Sequence, residues 1–131
     1  MNKYELIKCQ DSYQIKALRD IGDDVKKGDL GGYVENENNL SQDGEAWIYD
    51  DAHVYGCAWV SGNASVSDSA WVFGNAQVTG NARVTGDAVV FGNARVSDNA
   101  IVSDEARVTG NAHISGNTHV CGDDVLDWII V

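Results

Sequence analysis

Proline is absent from the 131 residues, so no bend is set by a fixed φ, and the turns must come from 14 glycines together with Asn and Asp. Cysteine is scarce. Cys9, Cys57 and Cys121 are odd in number, far apart and outside any C-x-x-C spacing, which argues against a disulfide framework and a cysteine zinc site. Basic residues are also few: 9 Lys and Arg stand against 20 Asp and Glu, a formal charge of −11. That balance argues against direct binding to nucleic acid or an anionic membrane, since both set cationic side chains against phosphate. Long apolar runs are missing, so no segment reaches the ~18 residues of a membrane span, and MNKYELIKCQ lacks the apolar region of a signal peptide. The expectation is one compact domain in a reducing compartment, the cytoplasm.

What the chain has in abundance is a repeat of six. Alanine occupies 46, 52, 58, 64, 70, 76, 82, 88, 94, 100, 106 and 112, and Thr118 takes the next place. Two residues after each stands Val or Ile, from Ile48 to Val120 without a slip. Ala-x-Val puts Ala and Val on one face of a short strand and the middle residue on the other. The Gly-Asn, Gly-Asp or Ser-Asp pair that follows is turn chemistry. Neither a helical period nor a pentapeptide solenoid fits. Three six-residue sides close a triangular coil, with equivalent residues 18 apart and stacked about 4.8 Å above one another. The unit is similar to the hexapeptide repeat of the left-handed parallel β-helix, and the handedness is implied by that similarity. The expected fold is therefore all-β: a triangular solenoid over 46–122, between an irregular cap with an irregular first turn (1–45) and an apolar tail (123–131). A lone hexad cannot offset its own ordering entropy, so stacked neighbours must supply the stability.

In the first segment Leu6, Ile7, Tyr13, Ile15 and Leu18 suggest two short strands joined near Cys9–Ser12. Leu30, Val34 and Leu40 suggest a first turn out of register, since Leu40 to Ile48 spans eight residues instead of six. The tail VLDWIIV reads as a second cap or an oligomer contact. Two stretches, DVKKGDLGGYV at 24–34 and LSQDGEAWIYD at 40–50, resemble the N-terminal signature of the YdcK-like hexapeptide-repeat proteins. These carry a transferase label and occur in bacteria and in phages or prophages. The resemblance implies the β-helix, supplies no catalytic residues, and would place a phage-encoded chain in the host cytoplasm.

Hexapeptide-repeat enzymes are often trimeric acyltransferases in which a histidine acts as general base. They commonly add a loop projecting from the coil and a C-terminal helix, and neither is present between Ala46 and Val120 or in the tail. The fallback catalytic candidates are His53, His113 and His119, all at the outward position of a hexad. They fall on different sides or far apart along the coil, so no metal site and no cofactor is expected. The Ser and Thr residues that follow the valines show no pairing with an adjacent base.

Sorting outward residues by 18 is more informative. Side one carries Trp47, Ser65, Arg83, Ile101 and His119, and side three carries Trp59, Gln77, Arg95 and His113. Side two carries His53, Trp71, Val89 and Arg107, with Tyr55, Phe73 and Phe91 aligned at its following corner. That aromatic ladder, beside Trp71 and Val89, exceeds the apolar patch a monomer usually exposes. Tyr55, Trp71, Phe73, Val89, Phe91 and Trp128 are the expected interface residues, most simply of a homotrimer. The expected function is a non-catalytic, homo-oligomeric binding protein with a protein partner, such as a phage accessory protein that blocks a host factor. Its acidic surface could imitate nucleic acid. The alternatives are an acyltransferase-like enzyme with an inter-subunit site, and a sponge for a small anionic ligand held by Arg83, Arg95 or Arg107.

Overall fold

The structure, a computed structural model, describes residues 2–126 and the backbone of 129–130. Three strands open the chain: β1 (Tyr4–Cys9), β2 (Ser12–Ala17) and β3 (Leu30–Val34). β1 and β2 form an antiparallel hairpin, and β2 pairs antiparallel with β3. β3 then runs parallel to His53–Val54, so the cap is built directly onto one side of the coil.

From Trp47 onward every hexad supplies a two-residue strand, and the strands sort into three parallel sheets. Side one stacks Trp47–Ile48, Ser65–Val66, Arg83–Val84, Ile101–Val102 and His119–Val120. Side two continues from β3 through His53–Val54, Trp71–Val72, Val89–Val90 and Arg107–Val108 to Val125–Leu126. Side three stacks Trp59–Val60, Gln77–Val78, Arg95–Val96, His113–Ile114 and Ile129–Ile130. The register is 18 residues from Trp47 to Leu126, as the alanine spacing requires, and shortens to 16 at the last rung of side three, where Ile129 pairs with His113. The three sheets are consistent with the triangular section and left-handed winding expected. The alanines from 46 to 112 and the aliphatic positions from Ile48 to Val120 are all buried, in one column.

A positive φ recurs at each of the thirteen corners from Asp50 to Gly122. Nine are glycine; the other four are Asp50, Asp68, Asp98 and Asp104, with φ of 55 to 58°. Aspartate is among the few side-chain-bearing residues that enter this region at modest cost. Three of the four also accept the backbone N–H one turn later: Asp68 from Gly86 at 3.1 Å, Asp98 from Gly116 at 2.9 Å and Asp104 from Gly122 at 3.0 Å. At neighbouring corners Asn75–Asn93–Asn111 and Asn81–Asn99–Asn117 form amide ladders.

The ends refine the expected boundaries. Leu40 bridges Val60, and Val34 pairs with Val54, so Val34 and Leu40 already belong to the inward column at a spacing of 20. The two extra residues lie between Leu40 and Ile48. Gly31 and Gly32 let β3 cross this first turn, since a Cβ would meet the Ile48 carbonyl at 2.5 Å or the Ile48 side chain at 2.5 Å. At the other end Val125–Leu126 and Ile129–Ile130 continue sides two and three as further rungs. Counted from β3 to this last rung, the coil makes about five turns.

Candidate functional site

The corner after side two carries the ladder foreseen in the sequence. Tyr55 stacks on Phe73 at 4.9 Å and Phe73 on Phe91 at 5.0 Å, each pair 6° from parallel. All three rings are half-buried because each covers the face of the next. Intrachain stacking thus accounts for part of the apolar area that the sequence left to a partner. Trp71 remains 46% exposed, edge-on to Tyr55 at 6.1 Å, and Val89 beside it is half-buried. Trp128 lies outside the described residues. Burial raises the Tyr55 phenol above its usual value.

The strip reaches further toward the N-terminus than periodicity suggested. Tyr33 on β3 stacks on His53 at 4.9 Å, and His53 leans on Trp71 at 6.0 Å. Tyr33 escaped notice because its register with His53 is 20, not 18; the eight-residue gap before Ile48 was the signal that could have placed it. The same register sets Glu35 opposite Tyr55, and Glu35 accepts the Gly56 N–H at 2.7 Å. Between them is a cleft of about 200 Å³ lined by Asp11, Tyr33, Glu35, His53 and Tyr55.

Side one differs from expectation at its first rung. Trp47, read as an outward residue, is only 1% exposed, with its ring edge-on to Tyr4 at 6.3 Å. The cap therefore reaches this rung, and Trp47 is no part of an outer surface. Above it a groove of about 520 Å³ opens between the cap loop at Asp23–Asp24 and the coil, lined also by Glu45, Asp50, Asp68 and Arg83. Burial, and then Asp24, raise the Tyr49 phenol here, with Arg83 acting the other way.

The structure leaves the three histidines on three different sheets. The His53 Nδ1 lies 2.8 Å from the Asp51 carbonyl, fixing a ring already stacked on Tyr33. His113 lies on side three, between Arg95 and Ile129 in register. His119 corrects the expectation that no serine meets a base, because its Nε2 lies 2.9 Å from the Ser103 Oγ. The two are 16 residues apart, a spacing that joins a corner to the outward position of the next turn. His119 is exposed, and among the described residues no carboxylate holds its other ring nitrogen. The three arginines also stay apart: Arg83 is on side one, Arg95 on side three and Arg107 on side two. Arg83 shares its groove with five carboxylates, and Arg107 lines a cleft with Asp87, Glu105 and Asp123. Such surroundings lower the potential that would attract an anion.

Three parallel sheets, a six-residue period and an unbroken Ala/Val column define a hexapeptide-type parallel β-solenoid. The family model of the YdcK β-solenoid repeat matches residues 76–92 and 90–104. Those residues carry the YdcK-type β-solenoid repeat, and the three sheets of the coil continue on either side of them. A comparison with curated proteins finds no match. Among the described residues no helix is long and apolar enough to cross a membrane.

Proposed function

We propose that this chain is a non-catalytic binding protein that assembles with copies of itself, most simply as a trimer, and engages a basic protein partner. One observation carries the reading: a continuous aromatic edge runs from Tyr33 through Tyr55 to Phe91, with Trp71 46% exposed at its centre. An edge of this kind contributes to stability when covered and is a liability when wet. The charge of −11 favours a cationic partner and speeds encounter with it, the behaviour of a protein that blocks a nucleic-acid-binding factor, as a phage accessory protein would.

The test is sedimentation equilibrium of the parent, of Phe73→Asp with Phe91→Asp, and of Gln77→Asp with Ser97→Asp as the control on side three. Burying an unpaired carboxylate in the contact costs several kcal/mol, of order 3–5. The aromatic pair should therefore give folded monomers, with the β-rich circular dichroism of the parent, while the control keeps the parent's mass. A parent that is monomeric at tens of micromolar contradicts self-assembly.

The Ser103–His119 contact favours a second reading, acyl transfer with one histidine as base. Turnover of an acyl-CoA donor that disappears in His119→Ala would put this reading first.

A further inference from the structure

The aromatic ladder ends at Tyr55. Toward the C-terminus its ring is covered by Phe73, 4.9 Å away and nearly parallel. Toward the N-terminus the next rung is Glu35 instead of another ring, because β3 pairs with His53–Val54 in the register that sets Tyr33 beside His53. Glu35 and Tyr55 both line the cleft of about 200 Å³. It is lined by three aromatic residues, Tyr33, His53 and Tyr55, and by two acidic ones. One is Glu35, held by the Gly56 N–H through Oε1. The other is Asp11, exposed in the two-residue turn that joins Cys9 to Ser12.

A flat cation satisfies both kinds of wall at once. A guanidinium stacks on an aromatic face as a ring does, and its N–H groups match carboxylate oxygens in a fork. An aliphatic or neutral aromatic occupant would leave Glu35 and Asp11 facing apolar surface. An anion would meet two negative charges in a molecule already at −11. We propose that this cleft receives an arginine side chain from the surface of a basic protein partner, the guanidinium lying among the aromatic residues with its N–H groups toward Glu35 and Asp11. The proposal rests on the protein-binding reading for its partner, but the cleft belongs to a single chain and does not require self-assembly.

The experiment uses N-acetyl-L-arginine amide as the probe and the neutral, isosteric N-acetyl-L-citrulline amide as its control. Each is titrated into the full chain up to 20 mM while the aromatic NMR resonances are followed. The arginine probe should shift the Tyr33, His53 and Tyr55 rings before any others, and the citrulline probe should not. Glu35→Gln keeps the acceptor for the Gly56 N–H and removes the charge, and should weaken binding about fivefold, as should Tyr55→Leu. Equal response to the two probes, shifts confined to the acidic groove on side one, or no shift at 20 mM would each overturn the proposal. Sedimentation of Phe73→Asp with Phe91→Asp reports separately on self-assembly, so failure of one idea is distinguishable from failure of the other.

Discussion

The coil and the cap solve the same problem by different means. In the coil, each turn meets the hydrogen-bonding needs of the next through repeated backbone contacts, such as Arg83 N–H to the Ala100 carbonyl at 2.9 Å and Val89 N–H to the Ala106 carbonyl at 3.0 Å. The cap has no next turn below it and closes the column with single side chains. The Lys3 ammonium, fully buried, donates to the Ala46 carbonyl at 2.8 Å and to those of Asp43 and Gly44 at 3.4 Å. The Tyr4 hydroxyl donates to the Leu40 carbonyl. Asn39, also fully buried, donates to the Gly56 and Ala58 carbonyls and accepts from the Glu35 and Asn36 N–H groups. A periodic region can thus distribute its polar demands over many equal bonds, whereas an end must gather them at a few irreplaceable groups.

Substitutions that break this contrast should rank accordingly. In the coil the largest effect belongs to the column. Val84→Asp buries an unpaired carboxylate and should cost about 4 kcal/mol or more by urea denaturation. Arg83→Ala, one residue away and outward, should stay within about 0.5 kcal/mol. Equal losses at the two positions would contradict the inward and outward assignment. In the cap Asn39→Ala should cost about 3 kcal/mol, because it strands the Gly56 and Ala58 carbonyls and the Asn36 N–H and leaves the Glu35 N–H only its bond to the Val54 carbonyl at 3.3 Å.

Lys3 makes the cap sensitive to pH. Burial, and then the Arg19 charge, lower it from 10.5 to about 8, against the pull of Asp43 and Glu45. Between these values the unfolded chain binds the proton more readily than the folded one. Stability should therefore rise with pH from about 8 toward 10 by roughly 2 kcal/mol. The Tyr4 phenol, raised by burial and then by Glu37, has the opposite sign and should reverse the trend above pH 10. Chemical denaturation at several pH values should show the rise in the parent and lose it in Lys3→Met. A smaller effect than those of the column and the cap is expected at a corner. Gly74 has φ of +69°, and Gly74→Val should be about 1 kcal/mol less stable than Gly74→Asp, because Asp already serves at four equivalent corners.

The sequence exposes the coil because one requirement, a small and a branched aliphatic residue on the inner face of every side, is written thirteen times. It exposes the aromatic ladder for the same reason, since Tyr55, Phe73 and Phe91 are separated by 18. It conceals Tyr33, Glu35 and Asp11, which meet the ladder only through the two extra residues after Leu40 and through the hairpin turn. Trp47 misled because the period assigns a direction and cannot report what the cap lays over it. Lys3 and Asn39 were invisible as closing groups, since nothing local distinguishes a buried lysine or asparagine from a solvated one. Ser103 and His119 met through a diagonal of 16 that the 18-residue sorting does not display.

The central claim is that the cap and the coil stand or fall together, because the first turns have no other closure. Amide hydrogen exchange tests it most directly. The Leu18 N–H, bonded to the Lys3 carbonyl at 2.8 Å, and the Tyr33 N–H, bonded to the Ala52 carbonyl at 2.9 Å, should share the protection of the Arg83 and Val89 amides. All four should lose that protection together in Asn39→Ala. Cap amides that exchange about a hundredfold faster than coil amides in the parent would show a cap that opens alone, and would contradict the account.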